Sequence, residues 1–304
     1  MKVLVTGGAG FIGSHVTDAM IAAGHSVVVV DDLATGCRAN LNPAARFYQV
    51  DIRDAGLDEV FAQEKPEVVS HQAARANVRE SFLKPIEYAD VNILGSLNLL
   101  ECCRRHGVRK VIYASTGGAV YGEPRYLPVD EAHPIEPLDP YGASKHQVEH
   151  YLHLYHANYG LEYTILRYPN VYGPRQDPRG EAGVVAIFTG RLLSGETPMI
   201  NGAGDQQRDF VYVADVAAAN VLAVNHNPAG LYNIGSGIGT SVNQIFTHLA
   251  TLTGHSGPAA HGPAKQGEVS RIYLNAQKAR QDLGWEPRVS LADGLARTVD
   301  SFRR

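Results

Sequence analysis

The chain has 304 residues, of which 44% are apolar, and carries a formal net charge of −4 at pH 7. The length allows one large domain or two smaller ones, and the apolar content is that of an ordinary globular protein. The mild negative charge argues against a nucleic-acid or acidic-membrane partner, because both require a basic face. No apolar run reaches the ~18 residues that span a membrane. Three cysteines without disulfide spacing favour a reducing compartment, and we expect a cytoplasmic protein.

Along the first half of the chain, short runs rich in Val and Ile alternate with segments of helical periodicity. We predict strands at 3–6, 27–31, 47–50, 68–71, 111–115 and 163–167, and helices at 12–23, 57–63, 90–106 and 141–159. This alternation predicts an α/β fold of the Rossmann type, with a doubly wound parallel sheet and helices on both faces. Ligands of such folds bind at the carboxyl ends of the strands.

The regular alternation ends near residue 168, where proline and glycine crowd the next segment. Further helices are predicted at 182–194, 213–225, 242–253 and 290–302. We therefore predict a Rossmann domain at 1–168 and a smaller C-terminal α/β lobe at 169–304, with some later segments returning to the first domain. A cleft is expected between the two.

A glycine-rich turn, within "VLVTGGAGFIGS", follows the first predicted strand and opens the first helix. Gly8, Gly10 and Gly13 satisfy G-x-G-x-x-G, and Gly7 extends the pattern by one glycine. Such a turn lets backbone amides approach a pyrophosphate at a helix N-terminus. The residues predicted to bind the dinucleotide here are Gly7, Gly10, Phe11, Ile12 and Gly13.

Acidic residues follow the second and third strands. Asp31 is in the position that hydrogen-bonds a ribose 2′-hydroxyl, and Asp32 doubles the negative charge, so NAD is favoured over NADP. Asp51, with Ile52 beside it, could contact the adenine. An equally good interpretation of Asp51 is the N-cap of the next helix.

Tyr141 and Lys145, in "PYGASK", lie one turn apart on a predicted helix. A free tyrosine, with a pKa near ~10, is a poor base at neutral pH. A neighbouring ammonium and an oxidised nicotinamide favour the phenolate and lower that pKa. Ser115 and Thr116 end the preceding strand, so a hydroxyl is expected close to this pair.

The chain resembles the extended short-chain dehydrogenase/reductase family and, within it, the nucleotide-sugar epimerases, above all those acting on UDP-glucose. The resemblance covers nearly all 304 residues and is carried by "TGGAGFIG", "VDDLATG", "HQAARANVRES", "VNILGSLNLLE", "STGGAVYGE", "PYGASK", "LRYPNVYGPRQ" and "RDFVYVADVA". It implies NAD as cofactor, a UDP-sugar as substrate and a nucleotide-sugar site in the C-terminal lobe.

The resemblance also implies roles for individual residues. Tyr141 is the expected base, Lys145 holds the phenolate and the nicotinamide ribose, and Thr116 bonds the sugar 4-oxygen, with Ser115 as the alternative. Residues expected beside the cofactor are Ala73, Ala74 and Tyr168. Those expected at the substrate are Asn170 at the diphosphate, Arg208 at a phosphate, Lys265 where relatives carry a second arginine, Val184, and Ile272 at a gate beside the sugar C2 substituent.

Gly117 and Gly118 follow Thr116, where related dehydratases carry Asp-Glu and decarboxylases carry Glu. Without an acid or base there, a 4-keto sugar should survive and be reduced from its other face. The expected activity is the 4-epimerisation of UDP-glucose and UDP-galactose. The alternatives are UDP-N-acetylglucosamine or UDP-glucuronate as substrate, or a non-catalytic NAD-binding protein.

Three histidines, His146, His150 and His153, recur at i, i+4 and i+7 on the helix after Tyr141. No carboxylate or cysteine ligands cluster with them, so we predict a packed or solvated face and no metal. In the resembling family this helix and the segment 90–106 build a four-helix interface, which implies a homodimer.

Overall fold

The computed structural model describes residues 1–178, 183–226, 229–264 and 269–303. Its strands are β1 (Lys2–Thr6), β2 (Ser26–Asp31), β3 (Arg46–Gln49), β4 (Val68–His71), β5 (Lys110–Thr116), β6 (Glu162–Tyr168), β7 (Asn170–Tyr172), β8 (Met199–Asn201), β9 (Gln207–Arg208), β10 (Phe210–Tyr212), β11 (Gly230–Asn233), β12 (Thr240–Ser241), β13 (Ala260–Gly262) and β14 (Arg271–Ile272).

The α-helices in the same residues are α1 (Phe11–Ala22), α2 (Gly56–Glu64), α3 (Val78–Leu83), α4 (Pro85–Ala89), α5 (Gly95–Arg105), α6 (Pro140–Tyr159), α7 (Val184–Leu193), α8 (Val213–Asn225), α9 (Val242–Thr253), α10 (Gln277–Leu283) and α11 (Leu291–Phe302). A 3₁₀ turn covers Arg38–Asn40, and a π-helical turn, Asp90–Leu94, joins α4 to α5. None of the helices in this part of the chain is long and apolar enough to cross a membrane.

A parallel sheet of seven strands, in the order β11-β6-β5-β4-β1-β2-β3, forms the centre of the described chain. Its central strands β1 and β2 are nearly continuous apolar runs, because both faces of the sheet are covered. On one face α1 and α8 pack together, burying Val16 and Val216. On the other face α2, α5 and α6 cover the sheet, burying Phe61, Leu99 and Val148. The Rossmann-type α/β prediction is confirmed.

A smaller lobe lies beyond β6. Helices α7, α9 and α11 pack on one another around Phe188, Ile245 and Leu295. Short strand pairs complete the lobe, joining β10 to β7, β13 to β8, and β9 to both β12 and β14. β11 leaves this part of the chain and pairs with β6, extending the main sheet.

The predicted elements of the first half are confirmed to within one residue at each end, apart from the helix predicted at 90–106. That helix is divided, because residues 90–94 form the wider π turn ahead of α5. The buried amide of Asn92 occupies this turn and bonds both backbone groups of Arg75. Among the later helices, 213–225 and 242–253 are confirmed and 290–302 begins one residue later; residue 182, the predicted start of another, lies outside the described residues.

Candidate active site

The glycine-rich turn lies between β1 and α1 and is packed too closely for side chains at two positions. A Cβ on Gly7, which has φ +68°, would lie 2.7 Å from the Ala73 amide nitrogen, and one on Gly13 would lie 2.0 Å from the Gly7 carbonyl oxygen. α1 begins at Phe11, so the free amides of its first turn face outward from the sheet edge. This cradle fits a dinucleotide pyrophosphate, which needs close backbone approach and a helix N-terminus.

Asp31 ends β2 beside this turn. Its carboxylate accepts hydrogen bonds from the backbone nitrogens of Ala9 (2.9 Å) and Leu33 (2.8 Å). Burial raises the pKa of Asp31, and these two hydrogen bonds oppose that rise. The neighbouring Asp32 is exposed and accepts from the Ala34 nitrogen. The two carboxylates therefore lie at the edge where a ribose hydroxyl would be bound and a phosphate repelled.

Asp51 is held by Arg53, whose guanidinium bonds both carboxylate oxygens and lowers the pKa of Asp51. The N-cap interpretation of Asp51 is wrong, because α2 begins at Gly56 and Ala55 occupies the cap position. Ile52 is 5% exposed and packs against Gly95, where an added Cβ would lie 2.7 Å from Ile52 Cδ1.

A buried polar chain, which we call the Thr6–Ser144 network, links β1 to α6. Thr6 Oγ1 accepts from the Ala73 nitrogen (3.2 Å) and lies 2.7 Å from His71 Nδ1. The other ring nitrogen of His71 lies 2.9 Å from Ser96 Oγ. Ser96 Oγ in turn donates to the backbone carbonyl of Asn92, and the Asn92 side-chain amide donates to Ser144 Oγ.

Within the Thr6–Ser144 network, His71 is a neutral imidazole. Burial lowers its pKa to about 3, and the nearby charge of Lys145 lowers it further. Sequence reasoning missed this network, because "VVSHQAA" indicates only a strand end followed by small residues. The available signal was the run of polar types, Ser70 and His71, in an otherwise apolar strand.

α6 carries the tyrosine and lysine. Asp139 caps its N-terminus by accepting from the Gly142 nitrogen (2.7 Å). Tyr141 is in the first turn, where its carbonyl accepts from Ser144 Oγ, and Lys145 is one turn further along. Lys145 is 3% exposed. Burial lowers the pKa of Lys145 to about 7, although the Glu149 carboxylate acts to raise it.

Ser115 and Thr116 are adjacent in β5, so their side chains leave opposite faces of the sheet. Ser115 Oγ donates to Glu149 Oε1 at 2.6 Å in a buried contact. A Cβ on Gly118 would lie 3.8 Å from both Thr116 Oγ1 and Asn170 Oδ1. The hydroxyl of Thr116 and the side-chain amide of Asn170 therefore lie near the same position, just after the carboxyl end of β5.

The two glycines after Thr116 differ in their surroundings. A Cβ on Gly117 would lie 2.3 Å from Leu274 Cδ1, so this position is filled by a neighbour. A Cβ on Gly118 meets nothing closer than 3.8 Å. Gly117 is needed for packing, whereas the position of Gly118 would accept a Cβ without a clash.

The remaining predicted residues lie as follows. Ala73 and Ala74 follow the end of β4, and the Tyr168 hydroxyl at the end of β6 accepts from Asn220 Nδ2 at 2.7 Å. Asn170 in β7 pairs with Phe210 in β10. Arg208 in β9 pairs with Ile272 in β14, and its Nη1 atom donates to the Gln207 carbonyl. Val184 is the first residue of α7. Lys265 lies outside the described residues.

Ile272 is not at an open position. It is 3% exposed and belongs to an apolar cluster with Val120, Tyr121, Val129 and Leu274. The structure therefore brings Thr116, Gly118 and Asn170 together, and surrounds Ile272 with core side chains.

The histidines of α6 form a pair. His146 and His150 are 3.1 Å apart at their Nε2 atoms, and His146 Nδ1 lies 2.9 Å from Glu149 Oε2. Within the described ranges, no group of three or more His, Cys, Asp or Glu side chains is arranged to hold a metal ion.

A doubly wound sheet with a glycine cradle, an acidic β2 end and a Tyr–Lys helix defines a dinucleotide-dependent enzyme of the short-chain dehydrogenase type. The sequence profile of the NAD dependent epimerase/dehydratase family matches residues 3–235. The chain belongs to this family.

Three solved structures resemble the chain closely. The UDP-glucose 4-epimerase of Thermotoga maritima, solved with UDP-glucose, is 50% identical, with a TM-score of 0.98 over 100% of this chain and 99% of that one. The UDP-glucose 4-epimerase of Thermus thermophilus, in complex with NAD, is 46% identical (TM-score 0.94, covering 100% and 99%). The UDP-N-acetylglucosamine 4-epimerase of Methanobrevibacter ruminantium, in complex with UDP-N-acetylmuramic acid, is 34% identical (TM-score 0.94, covering 99% and 98%).

Proposed function

We propose that this protein is an NAD-dependent 4-epimerase that interconverts UDP-glucose and UDP-galactose and so acts in galactose metabolism. The observation that carries the proposal is the position of Gly118 just after β5, where an added Cβ would meet the Thr116 hydroxyl and the Asn170 side chain at 3.8 Å without a clash, and where the sequence has glycine in place of a carboxylate. Half of the residues are shared with the Thermotoga maritima enzyme, which supports the same substrate.

The NAD site is assigned by the fit of its residues. The turn formed by Gly7, Gly10, Phe11, Ile12 and Gly13 would hold the pyrophosphate. Asp31 and Asp32 would hold the ribose, Asp51 and Ile52 would lie at the adenine, and Ala73, Ala74, Tyr168 and Lys145 would lie along the nicotinamide half. When bound, NAD supplies a hydride acceptor and, once reduced, a hydride donor for one sugar carbon.

In this proposal Tyr141 removes the proton of the sugar 4-hydroxyl and later returns it. The ammonium of Lys145 favours the phenolate, because an opposite charge nearby lowers the pKa of a phenol. The hydroxyl of Thr116 bonds the sugar 4-oxygen and orients it toward Tyr141. Ser115 is already engaged with Glu149, so Thr116 is the better candidate for this role.

The substrate's diphosphate would be held by Asn170 and Arg208, with a contribution from Val184 at the start of α7. For Lys265 the same role rests on the family resemblance alone. Anchored there, the 4-keto sugar can turn about its bond to the diphosphate and present its other face. Gly117 and Gly118 have no side chain that could donate or remove a proton, so elimination and decarboxylation lack a catalyst. Reduction on the opposite face then inverts C4.

A UDP-N-acetylhexosamine is the second candidate substrate. Ile272, the residue expected at the gate beside the C2 substituent, is buried in an apolar cluster, so its size does not decide between the two substrates. The similarity to the Methanobrevibacter ruminantium enzyme favours this candidate.

The test is a panel of UDP-glucose, UDP-galactose, UDP-N-acetylglucosamine and UDP-glucuronate, with products separated by chromatography. We expect UDP-galactose to be converted fastest and the Tyr141→Phe protein to lose at least about 100-fold in kcat, the usual size of general-base catalysis. Tyr159→Phe, at the exposed end of the same helix, is the matched control and should behave as the parent. A parent that binds NAD and converts no member of the panel would favour the non-catalytic alternative.

We further propose a cytoplasmic homodimer formed through the face that α6 and the π turn share. Large apolar side chains are exposed in this region: Leu83, Ile86, Leu94 and Leu154, each at least 49% accessible. All three cysteines are free, which suits a reducing compartment. Leu154→Glu should yield monomers in sedimentation, whereas Ile238→Glu, at an exposed position outside this face, should leave the dimer intact.

A further inference from the structure

We propose that the buried ion pair between Glu149 and Arg167 is a clamp that positions Thr116 by holding both ends of the segment 115–121. We call this segment the threonine loop, because it carries Thr116 together with Gly117 and Gly118. The role of Thr116 in this proposal rests on the proposed function. The clamp assigns positioning roles to four side chains that do not touch the substrate: Ser115, Tyr121, Glu149 and Arg167.

The first end of the threonine loop is held by Glu149. Its Oε1 atom accepts from Ser115 Oγ at 2.6 Å and from Arg167 Nε at 2.9 Å, while Oε2 accepts from Arg167 Nη2 at 2.5 Å. Glu149 is 6% exposed, and Arg167 and Ser115 are each 3% exposed. The guanidinium therefore makes a two-pronged contact with a carboxylate that also fixes the end of β5.

The second end of the threonine loop is held by Arg167. Its Nη1 atom donates to the Tyr121 hydroxyl at 2.8 Å, and the guanidinium carbon lies 4.8 Å from the centre of the Tyr121 ring. The same hydroxyl donates to Asn233 Oδ1 at 2.7 Å, in β11. One arginine thus contacts α6 through Glu149 and the far end of the loop through Tyr121.

The loop needs such anchors because of its composition. Two consecutive glycines give the backbone more freedom than any other pair of residues, and that freedom must be restricted if the Thr116 hydroxyl is to be kept in one place. Glu149 also lies one turn after Lys145 and two turns after Tyr141 on α6. The clamp therefore fixes the loop directly to the helix that carries the proposed base.

The carboxylate of Glu149 remains ionised through the working pH range. Burial acts to raise its pKa, but the hydrogen bonds from Arg167 and His146 outweigh that effect and bring the pKa to about 2. The clamp is therefore a charged pair at neutral pH.

The test separates the two ends with Ser115→Ala and Tyr121→Phe, each of which removes one hydroxyl and leaves the ion pair in place. With UDP-galactose, each variant should lose about 3- to 10-fold in kcat with little change in KM, the equivalent of one neutral hydrogen bond. The double variant should lose more than either single one. Tyr48→Phe is the matched control, because it removes a tyrosine hydroxyl (2.6 Å) from another buried glutamate, Glu64, and should leave kcat unchanged.

A second measurement is independent of turnover. Amide hydrogen exchange in the threonine loop should become faster in both variants and stay at the parent rate in Tyr48→Phe. Unchanged exchange and unchanged kcat in both variants would overturn the clamp. If the parent itself converts no UDP-sugar, the proposed function fails, and the exchange rates alone then decide whether the clamp exists.

Discussion

The ammonium nitrogen of Lys145 lies 4.3 Å from the centre of the Tyr113 ring, in a site that excludes water. The face of the ring stabilises the charged form of Lys145. The carboxylate of Glu149, on the next turn of α6, also stabilises it. Burial outweighs both and lowers the pKa of Lys145 to about 7. The charge of this lysine is therefore costly to the folded protein and can change near neutral pH.

This low pKa predicts a pH-dependent gain in stability on replacing Lys145 with methionine. Between pH ~7 and the ordinary value of 10.5, the unfolded chain binds more protons at this residue than the folded one, so the stability of the parent rises with pH. Lys145→Met should raise the free energy of unfolding by about 3–5 kcal/mol at pH 6 and by less at pH 9, since one pKa unit is about 1.4 kcal/mol. Urea titrations at the two pH values measure the difference, and an equal gain at both would contradict the prediction.

The opposite orientations of Ser115 and Thr116 predict unequal losses of activity. Thr116→Ala should lower kcat with UDP-galactose by about 100-fold, because it removes the hydroxyl that we propose bonds the reacting oxygen in the transition state. Ser115→Ala should cost about 10-fold or less, through the clamp. Thr116→Ser, which keeps the hydroxyl, is the control and should retain most of the activity. A larger loss for Ser115→Ala than for Thr116→Ala would assign the catalytic hydroxyl to Ser115.

The unequal surroundings of Gly117 and Gly118 predict two different kinds of defect. Gly117→Ala places a Cβ against Leu274 and should lower the free energy of unfolding by about 1–3 kcal/mol, the usual cost of overpacking. Gly118→Leu has room at its Cβ, so the protein should fold and retain NAD. It should turn over more slowly, because in the proposed mechanism the sugar rotates beside this position. Thermal melting, NAD content and kcat distinguish the two, and normal turnover by Gly118→Leu would rule out the need for space at this position.

The position of Asp31 predicts its contribution to cofactor choice. Asp31→Asn keeps the size of the side chain but removes the negative charge beside the glycine turn. We expect retained NAD to fall by about 10-fold or more, because a charge-assisted hydrogen bond to ribose becomes a neutral one, and discrimination against NADP to weaken. Asp300→Asn, at an exposed position in α11 where the carboxylate pairs with Arg303, is the control. Binding of both cofactors can be measured by calorimetry, and unchanged selectivity would remove Asp31 from the ribose site.

Much of the first half of this molecule was predictable from the sequence, because its strands are short apolar runs separated by amphipathic segments. The glycine turn and the acidic end of β2 were found by the same local reasoning. Strands such as β9 and β12, of two residues each, have no periodicity to detect, and they exist because their neighbours bring them together.

The site was harder to predict wherever it depends on distant contacts. Adjacent hydroxyls at 115 and 116 look equivalent in sequence, and only the pairing of Ser115 with Glu149 distinguishes them. Likewise, Arg167 and Glu149 are separated by 18 positions, and nothing in "LRYPN" indicates that the arginine also reaches Tyr121. The Thr6–Ser144 network joins residues from five separate elements, which no local pattern can reveal.

The return of β11 to the main sheet has a consequence for dissecting the protein. β11 pairs with β6 through Gly230–Asn233, and α8 packs beside α1 on the same face, over β5 and β6. A fragment ending near residue 168 would therefore expose a bare sheet edge and an uncovered apolar surface. The cofactor half and the sugar half cannot be obtained as independent pieces by one cleavage of the polypeptide. Any exchange of substrate lobes between relatives would have to splice the chain at several points.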